Sequence, residues 1–103
     1  MIHLISGPEH KHWLQLEAAI ETIGDMIAHH NGTMCEEIIK PNPNRQLIDD
    51  LSSKITLLGE ELNMCYQEGV QDEMIAKAYS VYGPFLKKAY LAGGHRGTTT
   101  DIC

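Results

Sequence analysis

Cysteine is scarce in this chain and poorly spaced for metal or redox work. Only Cys35, Cys65 and Cys103 occur, and no C-x-x-C joins any two. An odd count without a motif fits a reducing compartment, where thiols stay reduced. Positive charge is scarce too: eight Lys and Arg stand against fourteen Asp and Glu, a formal net charge of −6. The only basic cluster is Lys87-Lys88. Nucleic-acid binding is therefore not expected, because a binder of phosphates needs a basic patch that releases counterions. Long apolar runs are missing, so no segment reads as a membrane span. Met1-Ile2-His3-Leu4-Ile5 lacks the basic start and long apolar core of a signal peptide. These absences together predict a soluble cytoplasmic protein.

The motifs of catalysis are lacking as well. There is no G-x-S-x-G, and no Cys has a basic neighbour in sequence to lower its pKa. Gly93-Gly94-His95-Arg96-Gly97 follows a helix instead of opening one, the wrong end for holding an anion. No catalytic residue, metal site or cofactor is assigned.

What is present is helical periodicity. From Arg45 to Glu68, Ile48, Leu51, Ile55, Leu58, Leu62 and Cys65 recur at steps of three and four. That heptad seam keeps one apolar edge against a partner helix. An earlier helix from Pro8 to about His30 carries Trp13, Leu16, Ile20, Ile23 and Ile27 in the same rhythm. Asn31-Gly32 reads as its stop. Thr33 to Glu36 reads as a capping box opening a short helix to Ile39. Lys40-Pro41 ends that helix, since the residue before proline avoids the helical region.

After Gly69, Asp72 reads as the cap of a last helix with Ile75, Ala78, Tyr82, Phe85 and Ala89 as its seam. Gly83-Pro84 should kink it, because proline breaks the hydrogen-bond ladder. Strand alternation is absent beyond the first five residues. With 103 residues and 43% hydrophobic content the chain suits one folded domain. The expected fold is all-α: a small bundle built on an antiparallel helical hairpin with heptad packing, plus a kinked C-terminal helix. The domain is expected to span 1–94, with 95–103 a flexible tail.

Three sets of residues invite function. Glu17, Glu21 and Asp25 lie four apart on one face of the first helix, and with Glu60 and Glu61 they offer an acidic surface to a protein partner. The last helix is apolar nearly all round, which implies burial on more than one side. Tyr79, Tyr82, Phe85, Leu86 and Tyr90 are therefore the expected interface of a homo-oligomer, a dimer or higher. Lys77, Lys87 and Lys88 beside those Tyr residues could hold an anion or a nucleotide, with rings stacking on bases. His29 and His30 with Cys35 come nearest to a zinc set, but adjacent helical residues diverge by about 100°. A histidine near a helix end suits the dipole without metal.

Glu36-Glu37 and Glu60-Glu61 also resemble the paired acids of all-α nucleotide pyrophosphohydrolases of the MazG type. That family carries Glu-Glu-x-x-Glu and a later Glu-x-x-Asp, which together hold Mg²⁺. Here Lys40 and Met64 stand where the third Glu belongs, and Glu73-Met74-Ile75-Ala76 lacks the Asp. The first expectation is a non-enzymatic acidic helical protein that self-associates and binds a partner protein, in the manner of small inhibitor, immunity or counter-defence proteins. The alternatives are a Mg²⁺-dependent nucleotide hydrolase using Glu17, Glu21, Asp25, Glu60 and Glu61, and an oligomeric nucleotide-binding protein using the Tyr and Lys residues.

Overall fold

The computed structural model describes residues 8–92, with side chains from residue 10 onward. The N-terminal arm and the expected boundary at 94 with its tail lie outside the described residues. Within them the chain is all helical. α1 spans Pro8–Ile38 and α2 spans Arg45–Met64. A third helical segment consists of α3 (Gln71–Lys77), a π-helical turn (Ala78–Tyr82) and α4 (Gly83–Leu91). No helix among these residues is long and apolar enough to cross a membrane.

α1 does not stop at Asn31-Gly32, and no separate short helix begins at Thr33. The reason is tertiary. The buried positions Leu16, Ala19, Ile23, Met26, His30 and Glu37 fall on one heptad line that continues in register through the expected break. A mid-helix glycine costs about 1 kcal/mol, which packing along that line outweighs. The Thr33 hydroxyl donates to the His29 carbonyl one turn back, at 3.1 Å. It therefore bonds inside the helix and does not cap a new one. The seam also sits slightly off the expected one: Trp13 is 54% exposed, while Ala19 and Met26 are buried.

The turn into α2 is fastened by side chains. Glu37 Oε2 accepts from the Asn44 amide and Oε1 from the Lys40 ammonium, both at 2.8 Å. The Lys40 bond, then the Asn44 amide, hold the Glu37 carboxyl below the usual carboxylate range. Asn44 caps α2, its Oδ1 accepting from the Leu47 amide at 3.1 Å. α2 ends at Met64, earlier than Glu68. Gly69, at φ +96°, then turns the chain in the left-handed region that a side chain resists. Asp72 lies inside the first turn of α3 and does not cap it.

The expected distortion at Gly83-Pro84 takes the form of the π-helical turn. Pro84 has no amide, and its ring crowds the preceding turn. The Gly83 amide bonds instead to the Ala78 carbonyl, five residues back. A Cβ at Gly83 would stand 3.2 Å from that oxygen, so glycine suits the site. The wider turn also sets the burial pattern. Met74, Ala78, Tyr82 and Leu86 are all buried. Steps of four drift about 40° each on a regular α-helix, and the π turn takes up that drift. The seam is therefore Met74–Ala78–Tyr82–Leu86, whereas Phe85 is 42% exposed.

α1 and α2 run antiparallel through the short turn between them. The third segment runs parallel to α1: His12 meets Gln71 and Asp72 at one end, and His29 and His30 meet Phe85 at the other. Leu16, Ile23, Met26, Leu58, Cys65, Met74, Tyr82 and Leu86 form the common core. Cys65 is fully buried, and burial pushes its thiol pKa up.

Candidate functional site

Heptad spacing sends most of the acidic candidates outward. Glu17 and Glu21 are exposed on α1, Asp25 is half-buried beside them, and Glu60 is exposed on α2. Glu61 is different, because it lies beside the seam residue Leu62 and is only 5% exposed. The Tyr82 hydroxyl donates to its Oε1 and the Lys77 ammonium to its Oε2, both at 2.5 Å. Lys77 also lies 5.5 Å from the Tyr82 ring centroid. Burial, then the Glu61 bond, raise the Tyr82 pKa, and the Glu61 bond raises that of Lys77. Glu61 is thus part of the core and not of an acidic partner surface. Its neighbour Glu60 disguises this in sequence, since two adjacent acids read as one solvated face.

The carboxylates of the pyrophosphohydrolase comparison do not converge. Glu37 holds the hairpin turn, Glu61 is internal, and Glu60 and Glu73 point to solvent on different helices. Among the described residues no three His, Cys, Asp or Glu side chains gather into a metal-binding group. His29 packs edge to face against both His30 and Phe85, and the His30 ring lies tilted against Phe85. His30 is buried, and desolvation, then His29 and Lys54, lower its pKa.

The interface candidates divide. Tyr82 and Leu86 belong to the core of this single chain, and Tyr90 packs partly against it. Tyr79 remains 85% exposed and Phe85 42%. Leu91, which the interface set omits, is 78% exposed. The lysines divide as well: Lys77 is held by Glu61, while Lys87 and Lys88 are exposed.

Between α1 and the third segment lies a groove of about 730 Å³. Its floor is made of small side chains, Ala18 and Ala19 of α1 with Ala78 and Gly83 opposite, and Tyr79 and Lys87 line it too. Small residues on both walls leave backbone close to the surface, so a helix could approach closely. A smaller recess of about 240 Å³, on the side facing α2, is bordered by His30, Lys54, Leu57 and Phe85. Neither recess was legible in the sequence, because each depends on which helix pairs with which. No protein-family model matches this chain, and no curated protein or solved structure matches it either.

Proposed function

We propose that this protein acts by binding and not by chemistry: it self-associates through the third helical segment and presents the acidic face of α1 to a protein partner. The observation that carries the reading is the groove beside Tyr79, whose ring is 85% exposed next to a floor of alanine and glycine. Large apolar surface left open in a small monomer marks an interaction site. A two-fold dimer is its simplest closure. Glu17 and Glu21, exposed on α1 with Asp25 beside them, favour a partner with a basic surface.

The burial of Glu61 and the capture of Lys77 weigh against the nucleotide hydrolase and nucleotide-binding readings, since each needs one of these groups accessible. Size exclusion with light scattering at micromolar concentration tests self-association. A particle near twice the 11.5 kDa chain mass is expected. A clean monomer overturns it, and turnover of nucleotides in the presence of Mg²⁺ would overturn the non-enzymatic reading.

A further inference from the structure

The third helical segment has opposite charge at its two ends, and the one charge between them, Lys77, has its side chain 39% exposed and its ammonium held by Glu61. Asp72 and Glu73 are exposed in its first turn, and Lys87 and Lys88 are exposed near its last. From 74 to 86 every exposed residue is uncharged: Ala76, Tyr79, Ser80, Val81, Pro84 and Phe85. The charges are symmetric in position. Asp72 and Lys88 each lie eight positions from Ser80, and Glu73 and Lys87 each lie seven. The macrodipole favours this polarity within a single helix, but it does not require equal spacing about a middle whose exposed residues are uncharged.

The groove follows the same axis. Lys87 is among its lining residues, and in the first turn of the same segment Asp72 meets His12 at 3.5 Å while its side chain stays 93% exposed. Glu73, Lys87 and Lys88 make no ion pair among the described residues. The segment that walls the groove thus carries exposed carboxylates at its start and exposed ammonium groups near its end.

A second copy of this chain, turned by a two-fold rotation, presents the complementary order. Resting on the self-association proposed above, we propose that two copies lay their third helical segments antiparallel, crossing near Ser80. Asp72 and Glu73 of one copy then face Lys88 and Lys87 of the other, and each Tyr79 lies along the groove of its mate. Charge pairs at the two ends select the antiparallel register, because the parallel one sets like charges together. The middle, whose exposed residues are uncharged, allows the backbones to approach.

Two charge-reversed variants test this register: Asp72→Lys with Glu73→Lys, and Lys87→Glu with Lys88→Glu. All four positions are exposed, so both variants should keep the helical circular dichroism of the parent. Each alone is expected to weaken dimerisation by about tenfold or more, because like charges then meet at both ends. Mixing the two should restore a dimer that contains one copy of each, seen by native mass spectrometry. If the parent is dimeric and both variants dimerise equally well, or if the mixture forms no mixed dimer, this register is wrong while self-association stands. If the parent is a monomer, both proposals fall, and the groove belongs to a different protein.

Discussion

At position 61 a carboxylate is buried on the flank of the heptad seam, and two donors make the site tolerable. Glu61→Ala leaves the buried Tyr82 hydroxyl without its acceptor. The expected loss is about 1–3 kcal/mol in urea unfolding, the cost of an unsatisfied buried polar group. Replacing all three partners, Glu61→Leu with Tyr82→Phe and Lys77→Met, should recover much of that loss, because no polar group is then stranded. A triple variant weaker than the single one would show that the network matters beyond satisfying itself. The network also has a pH signature. Lys77 and Tyr82 both hold their protons more tightly folded than unfolded. Their contribution is complete below about pH 10 and is lost as the pH rises through their folded values. Unfolding free energy should fall as the pH rises above about 10, and Glu61→Gln should flatten that fall.

At the scale of elements, glycines with the same helical setting should answer differently to alanine. Gly24 in α1 and Gly59 in α2 have nothing within 4 Å of a built Cβ. Alanine there should raise stability by about 0.5–1 kcal/mol each, the ordinary helical gain. Gly83→Ala should bring no such gain, since its Cβ meets the Ala78 carbonyl of the π turn at 3.2 Å. Thermal melts of the three variants decide it, and equal gains at all three would mean that the π turn yields easily. The elements also show what the sequence carries. The α2 seam was legible because Ile48, Leu51, Ile55, Leu58, Leu62 and Cys65 repeat at steps of three and four; Ile48, Leu51, Leu58 and Cys65 are buried, while Ile55 and Leu62 are half-buried. The continuity of α1 was not, because Asn31-Gly32 is a local stop signal overruled by packing along its whole length. The last seam was misread by one position at Phe85 and Leu86, since a heptad count presumes regular α-helix and the π turn is not one.

The described residues measure 59 × 27 × 25 Å, a slender body. Leu86 joins the hairpin and the third segment in one core and is 5% exposed. Leu86→Glu should therefore unfold the protein and not merely separate a dimer. A helical monomer from that variant would mean that Leu86 lies at an interface after all. Surface exposure was legible at Glu17, Glu21 and Tyr79. Glu61, Tyr82 and Leu86 escaped because sequence does not say which helix covers them.

The fastening of the hairpin turn sets the order in which the molecule comes apart. From Asn31 to Cys35 every residue of α1 is half-buried. Beyond them the chain reversal hangs on Glu37, whose depressed pKa means that its contribution is complete above about pH 4.5 and is lost as the pH falls through its folded value. Acid should release this end first. Amide hydrogens of residues 36–48 would then exchange with solvent while those around Ile23, Leu58 and Tyr82 remain protected. The protein would fray from one pole, like a clasp opening before the hinge.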